Sequence, residues 1–130
     1  MSENFLSVFM IDTTDGGLYT ARTLRIPRTI TVASSATPTP NGDTTERYVI
    51  TALAAAAVFG APTGTPVQGQ RLMFHLTDNG TARGLTWNAI FKAQGVTLPT
   101  TTVLGKLLIV GCIYDSIQVR WLVVATSQEA

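Results

Sequence analysis

Gln70-Arg71-Leu72-Met73-Phe74-His75-Leu76-Thr77 is the stretch that decides the fold class. Leu72, Phe74 and Leu76 face one way, and Arg71, Met73 and His75 the other, the period of two that belongs to a strand with one buried face. Asp78-Asn79-Gly80 follows as a turn signal and predicts a hairpin, with the return strand starting over Gly84 to Trp87. Asn88 to Phe91 then closes a sheet corner, and Gln94 to Thr102 is a loop. Lys106 to Tyr114 reads as a long strand apolar on both faces, turned back at Asp115-Ser116. Ile117 to Ala125 is the last strand, with Val119, Trp121 and Val123 on one face and Arg120 opposite.

The pattern continues toward the N-terminus. Arg47 to Leu53 and Arg28 to Ser35 read as strands, separated by a loop with Pro38, Pro40 and Asn41-Gly42. Ala52 to Ala57 suits an extended or turning segment, and Gly60 to Gly69 a Gly/Pro-rich loop. No amphipathic helix of ten residues occurs. Short strands with turn signals at regular intervals predict an all-β fold, an antiparallel β-sandwich or small barrel with an extended N-terminal segment. The expected core is Leu72, Phe74, Leu76, Ile109, Ile113, Val119, Trp121 and Val123. Residues 28–130 form the β domain. Residues 1–27 hold the apolar group Phe5, Leu6, Val8, Phe9, Met10 and Ile11, then Asp15-Gly16-Gly17 and Pro27. Two readings stay open for them: a first strand of the core, or an arm that docks on a neighbour.

Composition narrows the function classes. The chain has 130 residues, of which 45% are hydrophobic and only 13% charged, and its mean hydropathy is +0.26. That is enough apolar matter for one core. Threonine, roughly one residue in six, takes the place of charge and favours strands. A surface so poor in ions leaves neutral patches for other protein surfaces to cover. The net charge is +1, and only Arg22, Arg25 and Arg28 cluster, too little for the counterion release of nucleic-acid binding. No apolar run approaches the length of a membrane-spanning helix. The start carries Glu3 and no basic region, so no secretory signal is expected and synthesis is placed in a cytoplasm.

Chemistry-bearing residues are sparse. Cys112 is the one cysteine, set in an apolar strand, and reads as a buried thiol. His75 is the one histidine; with Cys112 and scattered acids it makes no metal-ligand spacing. The acids sit mostly at turns, where Asp bonds nearby amides, and none pair across a cleft. No phosphate cradle and no nucleophile elbow is present. The expectation is a non-enzyme with no metal and no cofactor. Trp121, alternating with Val119 and Val123, reads as core; Trp87 is open to either a core or a stacking role.

Five short motifs carry a resemblance: Gly69-Gln70-Arg71-Leu72-x-Phe74-x-Leu76, Asp78-Asn79-Gly80, Leu85-Thr86-Trp87, Ile90-Phe91-Lys92, and the closing pair Leu107 to Asp115 with Trp121 to Ala125. In order and spacing they resemble a β domain of tailed-phage virion proteins, found at the ends of tail-fibre or head-fibre chains. The likeness spans roughly residues 47 to 126. It implies a compact, usually trimeric β domain without catalysis, and it carries no site residue with it. Only some 45 residues precede the domain in this sequence, so a chain complete as it stands is expected to be too short for a fibre. The expectation is a capsid decoration protein: a homotrimer on the virion surface that binds the major capsid protein and holds the shell together. The expected anchor is Phe5, Leu6, Val8, Phe9, Met10 and Ile11. No nucleic-acid or membrane partner is expected. The rival expectation is a tail-fibre or adsorption protein that binds a host surface glycan.

Overall fold

The computed structural model describes residues 26–130, which are rich in strand and contain no helix. The strands are β1 (Thr29–Val32), β2 (Arg47–Leu53), β3 (Ala57–Phe59), β4 (Arg71–Asp78), β5 (Leu85–Trp87), β6 (Phe91–Ala93), β7 (Leu108–Asp115) and β8 (Arg120–Gln128). Six form one sheet in the order β1-β2-β4-β7-β8-β6, while β3 and β5 pair separately.

The sheet is mixed, which corrects the antiparallel expectation. β1 runs parallel to β2, β2 to β4, β6 to β8 and β3 to β5; β4 with β7 and β7 with β8 are antiparallel. Parallel neighbours require a crossover rather than a tight turn. The β2-to-β4 crossover, residues 54–70, carries β3 away from the main sheet. The hairpin expected at Asp78-Asn79-Gly80 does not form. The turn is there, with Gly80 at φ +99° and its N–H donating to Asp78 Oδ1 at 3.1 Å. Beyond it, however, the chain leaves the sheet, and both neighbours of β4 come from elsewhere.

One face of the main sheet is the core. Ile50, Leu72, Phe74, Leu76, Val110, Trp121 and Val123 are buried there. The small β3-β5 sheet brings Phe59 and Leu85 into the same cluster. Phe59 meets Phe74 edge-on, with centroids 5.1 Å apart, and stacks on Trp87 at 4.0 Å.

Three expected core residues lie elsewhere. In β7, Leu108, Val110 and Cys112 point into the core, so Ile109 and Ile113 point out and are half-buried. A strand apolar on both faces does not show which face is which. Val119 is 63% exposed at φ +55°, the last residue of the turn Ser116 to Val119. The alternation that linked it to Trp121 ends at Arg120, where β8 begins. A further irregularity falls between Gly111 and Cys112: their partners on β8 are Ala125 and Val123, and the intervening Val124 is exposed.

Candidate functional site

The groups able to do chemistry stay apart. His75 pairs with Ile109 and points away from the core, whereas Cys112 pairs with Leu72 on the core face. Burial pushes the Cys112 thiol up to about 12, so little of the reactive thiolate exists at neutral pH. Burial, with Arg47 nearby, lowers the pKa of His75. Among the described residues no three of His, Cys, Asp and Glu are grouped to hold a metal ion.

The two most developed polar clusters fasten loops. Asp78 is buried; its Oδ2 accepts from the Thr102 hydroxyl at 2.6 Å, and its Oδ1 from the N–H of Gly105 at 2.9 Å. Those bonds, the Thr102 hydroxyl first, hold its carboxyl below the usual carboxylate range. Thr102 Oγ1 in turn accepts from the N–H of Arg83 at 2.8 Å. At the other end of the sheet, Glu46 accepts from the backbone N–H of Arg28 at 2.6 Å and forms an ion pair with its guanidinium. Its pKa is lowered to about 2, chiefly by the hydrogen bond from the Arg28 side chain. Arg28 is therefore a clamp on the start of β1. Arg22 and Arg25, which clustered with it in sequence, lie outside the described residues.

The outer face of the six-stranded sheet lies opposite the core face against which the β3-β5 sheet packs. Successive side chains alternate between faces. The register therefore places Thr29 and Thr31 of β1, Arg47 and Val49 of β2, and Arg71, Met73 and His75 of β4 on this side. Ile109, Gly111 and Ile113 of β7 join them, as do Leu122 of β8 and Lys92 of β6. Val49, Met73, His75, Ile109, Ile113 and Leu122 are each only partly buried. Gly111 shapes the centre: a Cβ there would stand 3.2 Å from Met73 Sδ, so the glycine lets the Met73 side chain lie close across β7. At the margin, Pro27, Glu46, Arg47, Arg71 and Met73 line a depression of about 350 Å³. The alternation in β4 identified Arg71, Met73 and His75. The rest of the face comes from five other strands and needed the register.

The tryptophans are occupied. Trp121 is buried, with Gly42 so close that a Cβ would stand 2.9 Å from its Cζ2. Trp87 stacks on Phe59 and donates from Nε1 to the Pro99 carbonyl at 2.8 Å. A second apolar surface lies at a loop tip. Val67, Ile117 and Val119 are exposed there, beside Gln68 Oε1, which accepts from both the N–H and the hydroxyl of Ser116. The expected anchor residues Phe5, Leu6, Val8, Phe9, Met10 and Ile11 lie outside the described residues. No family model matches the chain, and neither the curated proteins nor the solved structures give a match.

Proposed function

We propose that this chain is a non-enzymatic structural protein of a bacteriophage particle, a capsid decoration protein that binds the major capsid protein as a homotrimer and stabilises the assembled shell. The observation that carries the reading is the outer sheet face, a broad surface with an apolar centre that no described element covers. A protein with such surfaces and few ions acts by covering area. The five motifs of the phage resemblance all fall within the strand unit that begins at β2. We read its architecture as an open sandwich, the small β3-β5 sheet over one face of the large one, with β1 and β6 as free edges.

In this reading attachment is multivalent. Each trimer touches several shell subunits, so the shell opens only by breaking several contacts together. The rival reading, a fibre-tip domain that stacks host glycans, is less well supported, because Trp87 and Trp121 spend their ring faces inside the fold. The test is a cryo-electron density map of an intact particle assembled with this protein. Three copies of the strand unit at the junctions between capsomers are expected. Density for it at the tail tip, or none on the shell, overturns the proposal.

A further inference from the structure

We propose that Asn79 is a site of self-modification: its side-chain carbonyl carbon is attacked by the Gly80 nitrogen, the Arg83 guanidinium supports the charge that forms, and the resulting ring opens to aspartate or isoaspartate. The inference is independent of whether the protein binds a shell.

The chain has two Asn-Gly pairs, Asn41-Gly42 and Asn79-Gly80. Glycine after asparagine leaves the attacking nitrogen unshielded and its peptide unit able to turn. The fold treats the two pairs differently. The peptide unit between Asn41 and Gly42 is bonded at both ends: the Gly42 N–H donates to the Thr63 carbonyl at 2.6 Å, and the Asn41 carbonyl accepts from the N–H of Thr45 at 3.1 Å. The Asn41 side chain is held too, its Oδ1 accepting from the N–H groups of Asp43 at 3.0 Å and Thr44 at 3.1 Å. Gly42 is buried, with Trp121 Cζ2 so close that a Cβ would stand 2.9 Å from it. Ring closure there breaks several bonds and moves a packed loop.

At Asn79 those restraints are missing. Asn79 and Gly80 are exposed, and a Cβ on Gly80 would meet nothing within 4 Å. The Gly80 N–H is held only by Asp78 Oδ1, at 3.1 Å, and among the described residues the Asn79 main-chain carbonyl accepts no hydrogen bond. Arg83 Nη2 donates to Asn79 Oδ1 at 3.0 Å, while its Nε donates to the Leu53 carbonyl at 3.3 Å and steadies the guanidinium. The neighbouring Asp78 carboxylate, which this charge also reaches, is engaged by Thr102 and Gly105.

The chemistry balances with water as the one co-reactant. The Gly80 nitrogen gives its proton to solvent and bonds to Asn79 Cγ, and the carbonyl electron pair moves onto Oδ1. A charged donor already aimed at that oxygen lowers the barrier. As the carbonyl re-forms, the Cγ–Nδ2 bond breaks and Nδ2 leaves as ammonia with a proton from water. Water then opens the five-membered ring at Cγ, giving aspartate, or at the main-chain carbonyl carbon, giving isoaspartate. Either product sets a second carboxylate beside Asp78, at the turn where the chain leaves β4 for β5.

The test is incubation of the full-length chain at pH 8 and 37 °C, with peptide mapping by mass to follow conversion of amide to acid at both sites and fragmentation to distinguish isoaspartate. In the native protein Asn79 is expected to convert at least about tenfold faster than Asn41. In urea, where the fold no longer protects Asn41, the two rates should agree within about threefold. A native ratio no larger than the ratio in urea overturns the proposal. Arg83→Gln should slow Asn79 by about threefold or more, with the Asn41 rate unchanged as a measure of the intact fold. A rate at Asn79 that is unchanged or higher in this variant overturns it.

Discussion

Replacing Phe74 by alanine tests the centre of the fold. The side chain has no exposed surface, and four rings surround it: Phe59 at 5.1 Å, Trp87 at 5.5 Å, Phe91 at 5.8 Å and Tyr48 at 6.1 Å between centroids. These rings come from both sheets, so the gap left by the substitution cannot be filled by moving one strand. Loss of transfer energy together with the cavity costs about 3–5 kcal/mol. Edge-to-face ring pairs add about 0.5–1.5 kcal/mol each beyond their area, which puts this site at the upper end of that range. Against a total stability of about 5–15 kcal/mol, a loss of about 4 kcal/mol is roughly a quarter or more. With a urea dependence of about 1.5 kcal/mol per molar, 4 kcal/mol lowers the unfolding midpoint by about 2.5 M. Tryptophan fluorescence reads the transition, because Trp87 lies against Phe74. A cost below about 1 kcal/mol would refute the reasoning, since it would mean that Phe74 is not enclosed by both sheets.

Four further outcomes are expected. Gly42→Ala forces a Cβ to within 2.9 Å of Trp121 Cζ2 and 3.1 Å of the Thr63 carbonyl oxygen, and should destabilise by about 1–3 kcal/mol in the same urea assay. Val119→Gly removes a β-branched residue from φ +55° at an exposed turn and should raise stability by about 1 kcal/mol, read as a higher melting temperature. The carboxyls of Glu46 and Asp78 have pKa values lowered by folding. Their stabilisation is therefore complete above about pH 5 and is lost as pH falls toward 2, so the urea midpoint should drop over that window, and Glu46→Gln should flatten the drop. Light scattering at micromolar concentration should give three times the monomer mass of 13.9 kDa, and a monomer both there and on the particle contradicts the trimer.

Alternation between neighbouring residues is a local property, and it was legible in the sequence. Leu72, Phe74 and Leu76 share a face because successive side chains of a strand point to opposite sides, whatever strand lies next to them. The same rule located β2 at Arg47–Leu53 and put Arg71, Met73 and His75 opposite the core. Turn residues were legible in the same way: the Asp78-Asn79-Gly80 turn is present, held by an Asp78 side-chain bond. Partner choice was not legible. The turn signal is the same whether the chain folds back on β4 or departs for a second sheet, and only burial of Phe59 and Trp87 against Phe74 favours departure. In β7 both faces are apolar, so the local pattern is silent on its orientation. Pairing with β4 decided it, placing Val110 beside Phe74 in the core and Ile109 beside His75 outside. The candidate surface has the same origin. Its residues come from six strands distant in sequence, and they form one face only because hydrogen-bonded register, set by burying the opposite face, aligns them.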